Sequence, residues 1–303
     1  MLRILITGSD GQLGWELHYS CAHVGEVLAC SRSQLDLCSP DTIRRTLREF
    51  LPNVIINAGA YTAVDRAESE SDIAMAINGI APGILAEEAK RLGALLVHYS
   101  TDYVFDGGAR VPYREDDSVN PLSVYGRTKL AGEKAVQQVG GAFLIFRTAW
   151  IYSTRGKNFL LSILRLAKER TELQVVDDQI GSPTWCRLVA EATAEVLRQL
   201  AIETSLYNAL DGKEGLYNLT CRGETSRFEL AREILRLCFP EREVKITPVH
   251  TSDFRTPATR PQYSVLSTAK LEKTFGIVLP FWDGVLASVC KQIKTAADAV
   301  STT

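Results

Sequence analysis

Histidine and cysteine are too sparse and too scattered in this 303-residue chain to announce a metal centre. The four histidines (His18, His23, His98, His250) are dispersed. The seven cysteines (Cys21, Cys30, Cys38, Cys186, Cys221, Cys238, Cys290) never fall in Cys-x-x-Cys spacing, the signature of a zinc or dithiol site. Their odd number and spread suit reduced thiols in a cytoplasm better than a disulfide framework. No apolar run approaches the roughly 18 residues that cross a bilayer. The opening Met1-Leu2-Arg3-Ile4-Leu5-Ile6 runs into a strand pattern without signal-peptide anatomy. A net charge of −2 with no basic block speaks against nucleic acid and anionic membrane as partners. Internal repeats and low-complexity segments are lacking too. These absences leave a cytoplasmic enzyme, long enough for one large core or two smaller ones.

What is present begins at once. Leu2 to Thr7 is an almost wholly apolar run, as expected of a strand covered on both faces of a parallel sheet. It enters Gly8-Ser9-Asp10-Gly11-Gln12-Leu13-Gly14, and helical spacing follows. Strand, glycine turn and helix present bare N–H groups and a positive helix end to an anion. The spacing is G-x-x-G-x-x-G rather than G-x-G-x-x-G, and an ordinary glycine-rich turn would look similar. Its place between strand and helix favours phosphate. A second strand, Glu26 to Cys30, ends at Ser31-Arg32 with no carboxylate of the kind that binds the ribose of NAD. Ser39 and Pro40 predict a helix start.

Asn53 to Asn57 reads as a third strand and runs into Ala58-Gly59-Ala60, small enough for a flat ring to approach the backbone. One long helix is expected over 72–92 and a fourth strand over 95–99, ending in Ser100-Thr101-Asp102-Tyr103. Ligands of open α/β sheets sit at such carboxyl ends. Tyr125-Gly126-Arg127-Thr128-Lys129 then sets a phenol and an ammonium one helical turn apart, on one side of a helix. A cation there favours the phenolate and suits the pair to proton transfer at a carbonyl oxygen; an exposed helix face would show the same spacing. A fifth strand, 142–147, reaches Thr148-Ala149-Trp150. Beyond it the alternation loosens: helices at 159–170, 187–200, 228–238 and 283–296, short strands at 173–176, 216–220 and 244–249, and loops at 201–215 and 255–261. The pattern predicts a Rossmann-like, doubly wound parallel α/β sheet over 1–150, which also takes back the helix at 187–200. A smaller α/β substrate-binding lobe is expected mainly within 151–303.

Gly8/Gly11/Gly14, Asn57-Ala58-Gly59-Ala60, Tyr99-Ser100-Thr101-Asp102-Tyr103-Val104-Phe105 and Tyr125-x-x-x-Lys129 together resemble the extended short-chain dehydrogenase/reductase family. Ala60-Tyr61-Thr62-Ala63-Val64-Asp65, Phe146-Arg147-Thr148-Ala149-Trp150 and Ala258-Thr259-Arg260-Pro261 are similar to its branch that reduces the 4-keto group of a dTDP-linked 6-deoxy sugar. The resemblance runs nearly end to end. It implies NADPH or NADH held by Gly8, Gly11, Gln12, Leu13, Gly14, Asp36, Leu37, Ala58, Gly59, Ala60, Tyr61, Thr62, Tyr99, Tyr125 and Lys129, and the residues add Arg32 as a reader of a 2′-phosphate. By the same resemblance Tyr125 would be the proton donor and Lys129 would lower its pKa. Thr101 would support the developing alkoxide, Asp102 and Trp150 would touch the sugar, and Arg260 the diphosphate. Mg2+ between the subunits of a homodimer is implied by the resemblance alone; the residues themselves suggest no metal ligand. Related 4,6-dehydratases need a further carboxylate after the aspartate, where this chain has Tyr103. Two alternatives stay open: a reductase or epimerase of another nucleotide sugar, and a non-catalytic regulatory subunit of a methionine adenosyltransferase, which resembles the same family.

Overall fold

A computed structural model describes residues 1–201, 210, 212–240 and 243–301 of the chain. The loop expected over 201–215 falls largely outside them. Five apolar segments form parallel strands: β1 (Leu2–Thr7), β2 (Gly25–Cys30), β3 (Val54–Asn57), β4 (Leu95–Thr101) and β5 (Phe143–Thr148). With the edge strand Gly215–Asn218 they make one six-stranded sheet in the order Gly215–Asn218, β5, β4, β3, β1, β2. Alternate residues of each strand point to opposite faces. Ile4, Ile6, Val54, Ile56, Val97 and Phe146 therefore enter one core cluster and Leu5, Ile55, Leu96 and Ile145 the other. On the first face the helices Gln12–Cys21 and Cys186–Leu200 pack together; on the second, Pro40–Phe50, Ala81–Leu92 and Val124–Val139 follow one another.

The helix expected over 72–92 is interrupted. Ser71–Met75 and Ala81–Leu92 flank a π-helical turn, Ala76–Ile80. Two features of the sequence account for the turn. Pro82 has no N–H to donate to the turn before it. Asn78 is drawn inward: its Oδ1 accepts from Tyr61 N at 2.8 Å, while Nδ2 donates to Tyr61 O at 3.0 Å and Thr128 Oγ1 at 3.2 Å. π-turns recur at functional sites, and this one ties the segment after β3 to the helix Val124–Val139.

The remaining strands are short pairs: Glu172–Val176 with Lys245–Val249, Ile180–Gly181 with Thr225–Ser226, and Ile151–Tyr152 with Thr184–Trp185. They pack with the helices Phe159–Glu169, Arg227–Cys238 and Trp282–Ser301. No helix of the described residues is long and apolar enough to cross a membrane.

Candidate active site

The chain leaves β1 for β2 on one side and returns to β3 on the other, so the sheet order reverses between β1 and β3. A crevice opens at such a point. Here Thr7 Oγ1 donates to Asn57 Oδ1 at 2.7 Å and accepts from Gly59 N at 3.1 Å, locking the two strand ends together. Gly8 has φ +69°, and a Cβ on it would lie 2.6 Å from Gly59 Cα. A Cβ on Gly14 would lie 2.1 Å from Gly8 O. Gly11 caps the helix Gln12–Cys21 without any side-chain hydrogen bond, which leaves its first-turn N–H groups for a ligand. A diphosphate fits this cradle.

The cradle opens into a cavity of about 640 Å³ lined by Gly8, Gly11, Gln12 and Leu13, by Arg32, Asp36 and Leu37, and by Ala58 to Thr62. Thr101, Asp102, Tyr125, Lys129, Trp150 and Arg227 line its far end. Gly14 acts from behind, letting the helix sit on the turn. Arg32 is exposed at the rim. Tyr99 contributes its backbone alone: its ring packs in the core and its hydroxyl lies 2.6 Å from Thr193 Oγ1. Tyr61 hydrogen-bonds Glu70 through its hydroxyl.

Ser123 caps the helix Val124–Val139 by accepting from Gly126 N at 3.1 Å, so Tyr125 lies in the first turn and Lys129 in the second. Tyr125 is half-buried, edge-on to the Tyr103 ring at 5.7 Å. Burial holds its phenol well above the ordinary value; a hydrogen bond with Thr101 pulls it down, and Asp102 and Tyr103 push it up. Lys129 is buried and donates to Tyr99 O at 2.5 Å, and burial presses its own pKa down to about 8, against the pull of Glu133. Thr101 Oγ1 accepts from Tyr103 N at 3.2 Å and donates to Asp102 Oδ1 at 2.9 Å. Asp102 is 2 % exposed, and its Oδ2 meets no hydrogen-bond partner of good geometry among the described residues. Burial raises its pKa to about 6, while Ser264, Thr101 and Arg227 act to lower it.

A second cavity, about 680 Å³, adjoins the first and shares Tyr103, Trp150, Ile151 and Arg227 with it. Phe159, Leu160, Leu230, Ile234 and Phe254 make much of its wall apolar, and Gln174 and Gln179 add amides. Trp150 stands at the junction with φ +45°, a strained value for a bulky residue and one that active sites retain. Its ring rests on Gly181, where a Cβ would approach Trp150 Cε2 to 2.3 Å. The Arg227 guanidinium stacks on that ring, Cζ lying 3.4 Å from the centroid.

Arg227 escaped the sequence reading, although a signal was there. It is the first residue of a helix capped by Ser226, and a cation at a helix N-terminus works against the dipole. Arg260 lines the second cavity and is paired there with a carboxylate. Its Nη1 and Nη2 donate to Asp65 Oδ1 and Oδ2 at 3.0 and 2.8 Å, and Nη1 also donates to Thr256 Oγ1 at 2.8 Å. Among the described residues no group of three or more His, Cys, Asp or Glu is placed to hold a metal ion, so Mg2+ finds no support here.

A doubly wound sheet, a phosphate cradle and a Tyr–Lys–Thr cluster at the far end of one cavity define a nicotinamide-dependent oxidoreductase of the short-chain dehydrogenase/reductase type. Comparison with known proteins narrows the class. The family described as "RmlD substrate binding domain" matches residues 2–295. The dTDP-4-dehydrorhamnose reductase of Burkholderia thailandensis is 45% identical over 289 residues, covering 93% of this chain and 95% of that one. The crystal structure of a dTDP-4-dehydrorhamnose reductase from Clostridium acetobutylicum superposes with a TM-score of 0.88 at 39% identity, covering 97% of this chain and 100% of that one. The Bacillus anthracis dTDP-4-dehydrorhamnose reductase, solved in complex with NADP, gives 0.87 at 34% identity, covering 96% and 99%. The chain belongs to the dTDP-4-dehydrorhamnose reductase family.

Proposed function

We propose that the chain reduces the C4 ketone of dTDP-4-dehydro-6-deoxy-L-mannose to dTDP-L-rhamnose, with NADPH or NADH as reductant. The observation that carries this is the junction of the two cavities. Thr101, Tyr125 and Lys129 line the first cavity, which shares Tyr103, Trp150, Ile151 and Arg227 with the second, and this supports a cofactor from the cradle and a sugar from the apolar pocket meeting near them. Bound there, a reduced nicotinamide supplies the hydride for C4. Tyr125, a phenol protonated at neutral pH, gives its proton to the ketone oxygen as charge develops. Thr101 turns its hydroxyl from Asp102 to that oxygen, a donor that counts most in the transition state. Lys129 holds the ribose beside the Tyr99 carbonyl. Trp150 and Asp102 bracket the sugar. Arg227, for which no carboxylate lies within salt-bridge distance among the described residues, receives the diphosphate. In this reading the nucleotide half takes in Cys186–Leu200 and Gly215–Asn218 as well as 1–150, and the rest of 151–303 forms the substrate side.

The test is NADPH oxidation with the dTDP-4-keto sugar by wild type and Tyr125→Phe. The phenyl ring keeps the packing, so the variant retains cofactor binding while kcat falls by about 100-fold or more. A variant within about tenfold of wild type would leave Tyr125 without its role. A wild type active only on a different nucleotide sugar would move the substrate assignment.

A further inference from the structure

Among the described residues five cations line the first cavity, and four already have a place. Arg32 stands just past the end of β2, Arg66 pairs with Glu70, Lys129 donates to the Tyr99 carbonyl and Arg227 stacks on Trp150. Lys157 is the fifth. It is exposed, and its ammonium meets no carboxylate within 4.0 Å among the described residues. Neither the sequence patterns nor the mechanism gives it a task.

Its position is set by the segment that carries it. Ser153 to Asn158 joins the strand Ile151–Tyr152 to the helix Phe159–Glu169 and lies against the first turn of the helix Gln12–Cys21. Asn158 Nδ2 donates to Gln12 Oε1 at 2.8 Å and to Ser153 O at 2.9 Å, and Gln12 Nε2 donates back to Lys157 O at 3.4 Å. Gly156, at φ +73°, lets the backbone come so close that a Cβ on it would lie 3.2 Å from Gln12 Cγ. The Arg155 guanidinium rests on Trp15 of the same helix, its Cζ 3.5 Å from the ring centroid. Asn158 Oδ1 caps the following helix by accepting from Leu161 N at 3.0 Å. The segment is a strap, pinned to the first turn of Gln12–Cys21 in its middle and to Phe159–Glu169 at its end.

We propose that Lys157 is a cofactor-binding residue, held by the strap so that its ammonium grips the diphosphate of NADPH or NADH. The proposal rests on the reading that the first cavity takes the dinucleotide. The cradle supplies bare N–H groups, but the first turn of Gln12–Cys21 holds no charged side chain, and Asp10 in the glycine turn adds an anion. A dinucleotide diphosphate brings two negative charges there. Lys129 and Arg227 serve the far end of the cavity and Arg32 the end of β2, which leaves Lys157, whose backbone touches Gln12, as the cation at the cradle. Its flexible four-carbon stem carries a compact charge that suits a phosphate oxygen without demanding one geometry. Both dinucleotides share the diphosphate, so Lys157 acts on NADPH and NADH alike, unlike a reader of the 2′-phosphate.

Calorimetric titration of the full-length protein, without sugar, gives the Kd of NADPH, NADH, ADP-ribose and 2′-AMP. Lys157→Met keeps the apolar stem and removes the charge. It should weaken NADPH, NADH and ADP-ribose by one common factor of about fivefold, the most that an exposed ion pair gives. 2′-AMP has no diphosphate and should bind wild type and variant equally. Lys157→Arg should restore the affinity, and added salt should weaken NADH binding more steeply in wild type than in Lys157→Met. Unchanged affinities in Lys157→Met, or a loss confined to NADPH and 2′-AMP, would overturn the assignment. A loss that Lys157→Arg does not restore would overturn it too, since the charge would not be the cause. A wild type that binds neither dinucleotide would instead remove the cofactor reading itself, a result distinct from equal binding by wild type and variant.

Discussion

Lys129 Nζ donates to the carbonyl oxygen of Tyr99 at 2.5 Å, which joins the helix Val124–Val139 to β4 two residues before Thr101. The contact fixes where the charge of Lys129 sits, and burial fixes when it is present. With a pKa near 8, Lys129 is a cation below that value and loses its proton as the pH rises through it. Tyr125 titrates at much higher pH, its pKa being raised by burial. An alkaline limb near 8 therefore belongs to the lysine. We expect kcat/KM for the cofactor to decline as pH passes about 8 in wild type. Lys129→Met should show a raised cofactor KM throughout and no such limb. A limb that survives in Lys129→Met would assign it to another group.

The features legible in sequence were the local ones. A turn whose N–H groups are bare, a strand whose neighbours are all apolar, and two side chains four residues apart on one helix each follow from a few consecutive residues. So β1, its glycine turn and the Tyr125–Lys129 spacing were readable. What escaped depends on partners distant along the chain. The pairing of Arg260 with Asp65 was not readable, because the two lie 195 residues apart. No pattern within 95–103 shows that the Thr101 hydroxyl is spent on Asp102, nor that the Tyr99 hydroxyl meets Thr193. The π-turn was half-visible, since Asn78-Gly79 and Pro82 interrupt an otherwise helical run.

Asp102 carries a cost that pH exposes. Its pKa of about 6 in the folded chain lies above the ~3.9 of an unfolded aspartate. The folded state thus binds this proton more tightly, so the group's stabilisation is complete below about pH 4 and lost as pH rises through 6. Two units correspond to about 3 kcal/mol, undiminished by solvent because the carboxyl is buried. Asp102→Asn keeps an oxygen for the Thr101 hydroxyl and removes the buried charge. It should be more stable than wild type at neutral pH by up to about 3 kcal/mol in urea unfolding, with the gap closing towards about pH 4. Activity should suffer through the sugar. Equal stability at neutral pH would mean the carboxylate is better compensated than its Oδ2, without a hydrogen-bond partner of good geometry, implies.

Two arginines compete for the diphosphate, and their pairing separates them. Arg260 is held by both oxygens of Asp65. Arg227 is desolvated, its pKa lowered by burial, with the Trp150 face and the polar groups of Tyr103 and Asp102 around it. A half-buried cation without a salt bridge is partly desolvated until an anion arrives. Arg227→Met should therefore raise the KM for the nucleotide sugar by about tenfold or more, a charged hydrogen bond being worth roughly 1.5–3 kcal/mol, and should not destabilise the free protein. Arg260→Met should do the reverse, lowering the melting temperature by stranding Asp65 and changing KM less. A larger KM effect at Arg260 would return the diphosphate to that side of the cleft.

The last prediction concerns the cofactor's 2′ position. An NAD-specific site places a carboxylate at the end of the second strand, where it accepts from the ribose hydroxyl and repels a phosphate. Here β2 ends at Cys30, and Ser31 and Arg32 follow. The nearest carboxylate in the cavity wall, Asp36, turns one oxygen to its own loop, accepting from Cys38 N at 3.0 Å. Arg32 stands exposed at the rim with no salt bridge within 4.0 Å among the described residues, free to swing towards a dianion. NADPH should be accepted and preferred over NADH by a modest factor, since a surface charge pair is worth about 1 kcal/mol at most. Arg32→Ala should reduce that ratio towards one by weakening NADPH and leaving NADH unchanged, and added salt should reduce it in wild type but not in the variant. The measurement is kcat/KM for both cofactors at fixed sugar concentration. A strong preference for NADH, or a ratio indifferent to Arg32→Ala, would mean that Asp36 rather than Arg32 reads the ribose.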